Sequence, residues 1–340
     1  MGEGETNVSG PKRSLSGIKS TGHPHLGNYL GMIRPAIQLQ DTHEAYYFVA
    51  DLHALTSERD PVAMRQQTYE ITATFIACGL DPNRAAFFRQ SDVPEVTELA
   101  WYLSCVVTMG ELERGHAYKA KKDEGEAGRA LHGLFAYPVL MAADILIYDS
   151  HVVPVGKDQI QHIEMTRDMA LRFNHHFGET FRVPEGLVRE DVMTIPGLDG
   201  RKMSKSYDNG IEVFMPAKKL KQRVMQIVTD STPLEAAKDP DTCNVVSLYK
   251  HFATADELED IKAKYRAGNY GYGHAKVALY EAIERHLGDK RATYDRLMAN
   301  PAELEDLLRA GAAKARIVAQ EVVGRVREKV GFAKRPVGLS

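Results

Sequence analysis

The decapeptide GRKMSKSYDN, 200–209, sets Arg201, Lys202 and Lys205 around the hydroxyls of Ser204 and Ser206, with turn formers at both ends. Nothing in it looks like core. A loop of this kind faces either a polyanion or plain water, and lysine suits the first task as a mobile point charge. A second stretch, STGHPHLGNYLG at 20–31, offers the complementary chemistry. Gly22 and Gly27 let backbone approach a ligand closely. His23, His25 and Asn28 place donors where a helix begins, an end that already favours anions. A turn with a helix cap is the plainer account of the same residues. A third group lies on the apolar run YPVLMAADILIY: Tyr137, Met141, Asp144 and Tyr148 fall at helical spacing on one face. A carboxylate on such a stripe needs a donor. An indole N–H fits, and so does a phenol O–H, a backbone amide or an arginine.

These groups need a scaffold. SLSGIK (14–19), AYYFVADL (45–52), AAFFRQ (85–90) and SHVVPVG (150–156) read as strands. LGNYLGMIRPAIQLQ (26–40), with a bend at Pro35, DPVAMRQQTYEITATFIACG (60–79) and DQIQHIEMTRDMALRFNHHFG (158–178) read as helices. Alternation of this kind implies an α/β fold, a Rossmann-like doubly wound parallel sheet, whose ligands sit at the carboxyl ends of strands. His53, in ADLHALT, lies just past one such end. VPVGKDQIQH ends a strand and opens a helix, with Asp158 and Gln161 spaced as a capping box. After residue 210 long amphipathic patterns dominate, an α-helical C-terminal half. The organisation expected is a loose N-terminal tail (1–13), an α/β domain (14–209) and a helical domain (210–335).

The 340 residues are 44% hydrophobic and 26% charged with net charge −3, an ordinary globular balance. No apolar run approaches the ~18–20 residues a membrane span needs. Cys78, Cys105 and Cys243 are scattered, without CxxC or Cys/His spacing, which argues against structural zinc and disulfides and fits a cytoplasmic protein. The last thirty residues hold seven Lys/Arg against two Asp/Glu, a local surplus of five set against an acidic remainder. That reads as a phosphate-backbone patch for nucleic acid, or as a solubilising tail.

HPHLGNYLG resembles the HIGH-type signature of class I aminoacyl-tRNA synthetases, with His25, Leu26, Gly27 and Asn28 in the motif's places. KMSKS (202–206) is that class's second signature, intact. DLHALT, LFAYPVLMAADILIYDSHVVPVGKDQIQHIEMTRDMALRFN and NYGYGHAKVALYEAI extend the resemblance to the tryptophan-specific, bacterial-type family over roughly residues 14–330. The resemblance implies activation of L-tryptophan by ATP to an adenylate plus pyrophosphate, then transfer to tRNA(Trp). It implies His25, Asn28, Lys202 and Lys205 as catalytic groups. It puts Lys19, Ser20, Thr21, Gly27, Lys121, Gly156, Met203 and Ser204 with Asn28 around ATP, and Asp158 on the ribose hydroxyls. Around the amino acid it puts Asp144 on the indole nitrogen, Met141 on the ring, Tyr137 and Gln159 on the α-amino group, and His53 nearby. Mg²⁺ is expected to come with ATP and not from a protein cage. A homodimer and an anticodon-reading C-terminal region are further expectations.

Two departures stand out. Lys19-Ser20 replaces a polar Gln-Pro-type pair, and GELERGHAYK carries Ala117 where the family has a glutamine. They bear on ATP affinity and on the amino-acid contacts of that side, and leave room for an auxiliary copy or a regulatory paralogue. A tyrosine-specific relative, since a phenol O–H also fits Asp144, and an HxGH nucleotidyltransferase are the other readings.

Overall fold

Strands β1 (Arg13–Ile18), β2 (Glu44–Val49), β3 (Ala86–Arg89), β4 (Val152–Val155) and β5 (Glu185–Val188) form one sheet in the order β3-β2-β1-β4-β5, with every neighbouring pair parallel. The computed structural model describes residues 11–20, 22–125, 127–155, 159–188 and 195–333. β2 is buried at every position after its first. Tyr46 and Phe48 point to one apolar layer, Tyr47 and Val49 to the other, as the two-residue strand period requires. The chain builds β1, β2 and β3 in one direction and then returns to place β4 on the other side of β1. That reversal opens a crevice at the carboxyl ends of β1 and β4. β5 was not legible beforehand: EGLV is four residues with a glycine inside, too short for a readable period.

Between β1 and β2 the chain is helical in three pieces: α1 (Leu26–Asn28), a π turn (Tyr29–Ile33) and α2 (Arg34–Leu39). Pro35 accounts for the middle piece. It has no N–H to give, and its ring crowds the carbonyl one turn back, so the ladder widens and Arg34 N–H reaches Tyr29 O instead. The bend expected at Pro35 is therefore a π bulge.

α3 (Asp51–Ala54) and α4 (Pro61–Ala77) follow β2, and α4 starts as its sequence dictates, with Asp60 accepting from Val62 N–H and Pro61 in its first turn. α5 (Glu95–Ser104), α6 (Met109–Glu113), α7 (His116–Asp123) and α8 (His132–Leu146) connect β3 to β4, and α9 (Ile160–Phe177) connects β4 to β5. Beyond them come α10 (Ala217–Met225), α11 (Asn244–Tyr249), α12 (Ala255–Ala267), α13 (Tyr272–Met298) and α14 (Pro301–Lys329). The change of character near residue 210 is not a break in the core. One apolar layer joins Tyr47 and Phe87 of the sheet to Ile211, Leu248, Tyr265 and Leu279.

α14 returns to the sheet and covers the edge strand β3, an edge that would otherwise be open to pairing. The approach is close: a Cβ on Gly311 would lie 1.7 Å from Phe87 O. Gly311→Ala is expected to lower stability by about 3 kcal/mol, because backbone on both sides cannot yield to the extra methyl. Denaturant midpoints for the two proteins, at equal slope, measure it; an unchanged midpoint contradicts the contact.

Four of the seven C-terminal cations have partners within the chain. Arg316 grips buried Glu95, Arg325 pairs with Asp149, Arg327 with Glu98, and Lys314 Nζ donates to Pro82 O and Asn83 O. These four cations hold α14 to the rest of the molecule, while Lys329 is exposed and Lys334 and Arg335 lie outside the described residues.

Candidate active site

The chain leaves β1 at Lys19 and turns through Gly22, whose φ of +57° suits glycine. It then enters α1 with His25 as the N-cap. Asn28 N–H donates to His25 Nδ1 at 3.2 Å, and His25 N–H donates to Asn28 Oδ1 at 3.1 Å. The two polar residues of the motif thus close a capping box on each other. With Nδ1 accepting, the ring proton sits on Nε2. Burial, with the Lys205 charge beside it, pulls the imidazole down to about 4, so it is neutral at pH 7.

The mid-chain cationic segment meets this corner directly. Met203 is buried, and Gly27 N–H points at its sulfur at 3.2 Å. A Cβ on Gly27 would sit 2.9 Å from the His25 ring and 3.3 Å from Met203 Cβ, so only glycine fits. Main-chain bonds from Leu26 N–H to Ile211 O and from Val213 N–H to Pro24 O tie the two segments as an antiparallel bridge. The Lys205 ammonium lies over Gly22, 3.2 Å from where a Cβ would be. Burial lowers its pKa, with the charge of Glu70 opposing that shift. Lys202 is exposed at the surface.

Asn209, absent from the sequence reading, organises the loop. It is buried, its Oδ1 accepts from Ser204 N–H at 2.8 Å, and its Nδ2 donates to Asp199 Oδ1 at 2.7 Å and Lys202 O at 3.2 Å. Arg223 holds the loop's far end through Asp208 and Gly210 O. Between these parts lies a cleft of about 530 Å³ lined by Gly22, His25, Lys205, Glu212, Lys219 and Arg223. Its cations suit a polyphosphate.

The second half of the site is built on Asp144, 2% exposed in the last turn of α8. His53 Nε2 lies 2.9 Å from its Oδ2. Gln90 Nε2 donates to Oδ1 at 2.8 Å and Oδ2 at 2.9 Å. Burial raises the carboxyl's pKa, and the His53 and Gln90 bonds work against that rise. A carboxylate offers about four lone-pair positions. Three are taken, and a further donor can be received on Oδ1. Gln90 was not foreseen. A single glutamine after a strand carries no partner information, although its place at the carboxyl end of β3 was a signal.

Tyr137 and Met141 share the α8 face with Asp144. Tyr137 OH lies 2.6 Å from His162 Nε2, and its ring stands edge-on to His53 with centroids 6.4 Å apart. Tyr148, grouped with them by spacing, lies beyond the helix end and is fully buried between Tyr46 and Phe88. It is core.

The remaining expected residues divide. Lys19 Nζ donates to Thr56 Oγ1 at 3.0 Å, in the turn that also holds His53 O. Ser204 Oγ meets Ser206 Oγ at 2.9 Å. Gln159 stands at the N-terminal boundary of α9 without a side-chain capping bond and is half-buried. Lys121 pairs with Glu124 at 2.8 Å on α7. Ser20 is the correction. It is fully buried with its hydroxyl on Met64 Sδ at 3.4 Å, so its side chain packs on α4 and is not presented to a nucleotide. Thr21, Gly156 and Asp158 lie outside the described residues.

The model of the family described as tRNA synthetases class I (W and Y) matches residues 7–288. The chain belongs to this family. Among curated class I (W and Y) synthetases, the tryptophan–tRNA ligase of Fusobacterium nucleatum is 49% identical over 322 residues, covering 94% of this chain and 98% of the relative. That of Rhodopirellula baltica is 50% identical over 320 residues, covering 94% and 99%. The solved tryptophanyl-tRNA synthetase of Campylobacter jejuni, complexed with ADP and tryptophan, is 44% identical over 94% of this chain and all of that one, with a TM-score of 0.89.

One further property follows from burial. His25, His251 and His286 are each lowered to about 4, first by burial and then by nearby cations. Their unfolded value is 6.5. The unfolded chain therefore binds more protons between these limits, and stability present above pH 6.5 is lost as pH falls toward 4. Unfolding near pH 5 is expected to take up about three protons from these groups. The pH slope of the unfolding free energy reads this; a flat slope between pH 6.5 and 4.5 contradicts it.

Proposed function

We propose that this class I synthetase is a tryptophan–tRNA ligase. It activates L-tryptophan with ATP to tryptophanyl-adenylate and pyrophosphate, then transfers the tryptophanyl group to tRNA(Trp). The buried carboxylate of Asp144 at the strand ends, held by His53 and Gln90, suits a substrate group that donates a hydrogen bond. An indole N–H is such a group, and so is a phenol O–H. The observation that carries the choice of tryptophan over tyrosine is the near-half identity to tryptophan–tRNA ligases along almost the whole chain.

In the first step the substrate carboxylate attacks the α-phosphate, the P–O bond to the β-phosphate breaks, and pyrophosphate leaves. Little covalent work falls to the protein, so catalysis rests on positioning and fixed positive charge. Asp144 and Met141 orient the indole, and Tyr137 with Gln159 holds the α-amino group. His25 and Asn28 face the phosphates, and Lys205 with Lys202 stabilises the charge that builds on the leaving group. Lys19 approaches from the end of β1. Mg²⁺ enters with ATP, on phosphate oxygens. Among the described residues no three His, Cys, Asp or Glu side chains group as a metal cage.

The same reading places anticodon recognition within residues 210–335 and makes the working protein a cytoplasmic homodimer. Among the described residues, no helix is long and apolar enough to cross a membrane.

ATP–pyrophosphate exchange run with each of the twenty amino acids tests the proposal. Exchange dependent on L-tryptophan is expected. None with tryptophan, or an equal rate with tyrosine, overturns it.

A further inference from the structure

Helix α4 carries one carboxylate, Glu70, that the proposed chemistry leaves unused. The residue is 3% exposed and sits deep in the helix whose side chains underlie the loop leaving β1, where Ser20 already rests on Met64. Its Oε1 accepts from Gln66 Nε2 at 3.0 Å. Its Oε2 lies 2.7 Å from His23 Nδ1, yet the two groups are not aligned as a hydrogen bond, and Oε2 is left buried without a hydrogen-bond donor. A desolvated carboxylate oxygen in that state is costly unless something completes it. The cations that face it are His23, through this contact, and Lys205, whose ammonium feels the Glu70 charge across Gly22.

His23 is the opposite case. Its side chain is 60% exposed, and it lines the same cleft as His25 and Lys205. The ring is free to turn about its own bonds. Rotation that brings Nδ1–H in line with Glu70 Oε2 presents Nε2 to the cleft. A ring placed between a carboxylate and a phosphate donates from both nitrogens, and both bonds are charge-assisted.

We propose that Glu70 and His23 form a carboxylate–imidazole dyad that serves the polyphosphate of ATP, with His23 touching the nucleotide and Glu70 acting as the buried positioning residue beneath it. Nucleotide binding would align His23 Nδ1–H with Glu70 Oε2 and complete the bond that Glu70 lacks. Glu70 by itself would repel a triphosphate. Behind the His23 ring its charge is screened from the nucleotide and orients the donor. This inference rests on the reading that ATP occupies the cleft.

Tryptophan-dependent ATP–pyrophosphate exchange on the full chain tests it, with His23→Ala, Glu70→Gln and the double variant beside the wild type. Each single variant is expected to raise KM for ATP about tenfold, the size of one charge-assisted hydrogen bond, with KM for tryptophan unchanged. Because Glu70 acts through His23, the double variant is expected to match the His23→Ala protein and not to multiply the two effects. A merely structural role for Glu70 would move both KM values, or the melting temperature, and would add to His23→Ala. Wild-type KM for ATP in His23→Ala, or independent multiplication in the double variant, overturns the dyad. His23 is exposed, so His23→Ala remains informative even where Glu70→Gln fails to fold. Absence of exchange in the wild type is a different outcome and strikes the proposed function itself.

Discussion

Lys205→Ala is expected to slow tryptophan-dependent exchange by about 10²–10³-fold in kcat, the usual loss when one preorganised charge is removed from a developing anion. The ammonium stands over Gly22 and beside the His25 imidazole, where burial lowers its own pKa. Lys205 is exposed at the cleft, so contact with a phosphate would strip water from its ammonium, and a cation that loses water there interacts far more strongly than one in bulk water. It is also reached by the loop that Asn209 and Arg223 brace, so little reordering is needed when the nucleotide arrives. KM for tryptophan should stay within about twofold, because Asp144 and its partners are untouched. Lys205→Arg should recover only part of the rate, since a planar fork is not a compact point charge. A second readout is independent of catalysis. The Lys205 charge is one cause of the depressed His25 pKa, so in Lys205→Ala that value should rise from about 4, as an NMR titration of the ring would follow. A variant with near-normal exchange and an unmoved His25 would remove the loop from the mechanism.

Asp144→Asn is expected to cut kcat/KM for tryptophan by at least about a hundredfold while leaving KM for ATP close to the wild-type value. The swap keeps the volume of the side chain. It replaces one acceptor oxygen with an NH₂ that must face donors: Gln90 Nε2 bonds both oxygens and His53 Nε2 the second. At least one buried donor is left without a partner, at about 1–3 kcal/mol each, before the substrate's indole is considered. A site built to hydrogen-bond its substrate also loses discrimination when that bond goes. An analogue with sulfur in place of the indole N–H should therefore be rejected by the wild type and tolerated relatively better by the variant. Equal discrimination in the two proteins would show that Asp144 is held for the core alone.

Much of the site could be read before any fold was known, because its chemistry demands residue identity. A loop with three cations and two hydroxyls, a glycine-rich turn with imidazoles at a helix start and a carboxylate on an apolar stripe are each unusual for packing reasons alone. The α/β alternation was legible for the same reason, since β2 is apolar almost throughout and α4 has its own start signals. The helical half was legible as helix. Its relation to the sheet was not. The surplus of positive charge near the C-terminus was counted correctly, yet Arg316, Arg325 and Arg327 point inward to Glu95, Asp149 and Glu98, which come from much earlier in the chain.

What the sequence by itself determined is the set of reacting groups and the periodicities of the elements that carry them, because both depend on residues close together along the chain. What only the tertiary structure decided is who meets whom: Met203 against Gly27, Gln90 on Asp144, Asn209 under the lysine loop and Glu70 behind His23. Apart from Asn209, whose partners lie within ten residues, those pairings form between segments far apart along the chain, and an isolated polar residue in a sequence carries no record of the distant atom that will satisfy it.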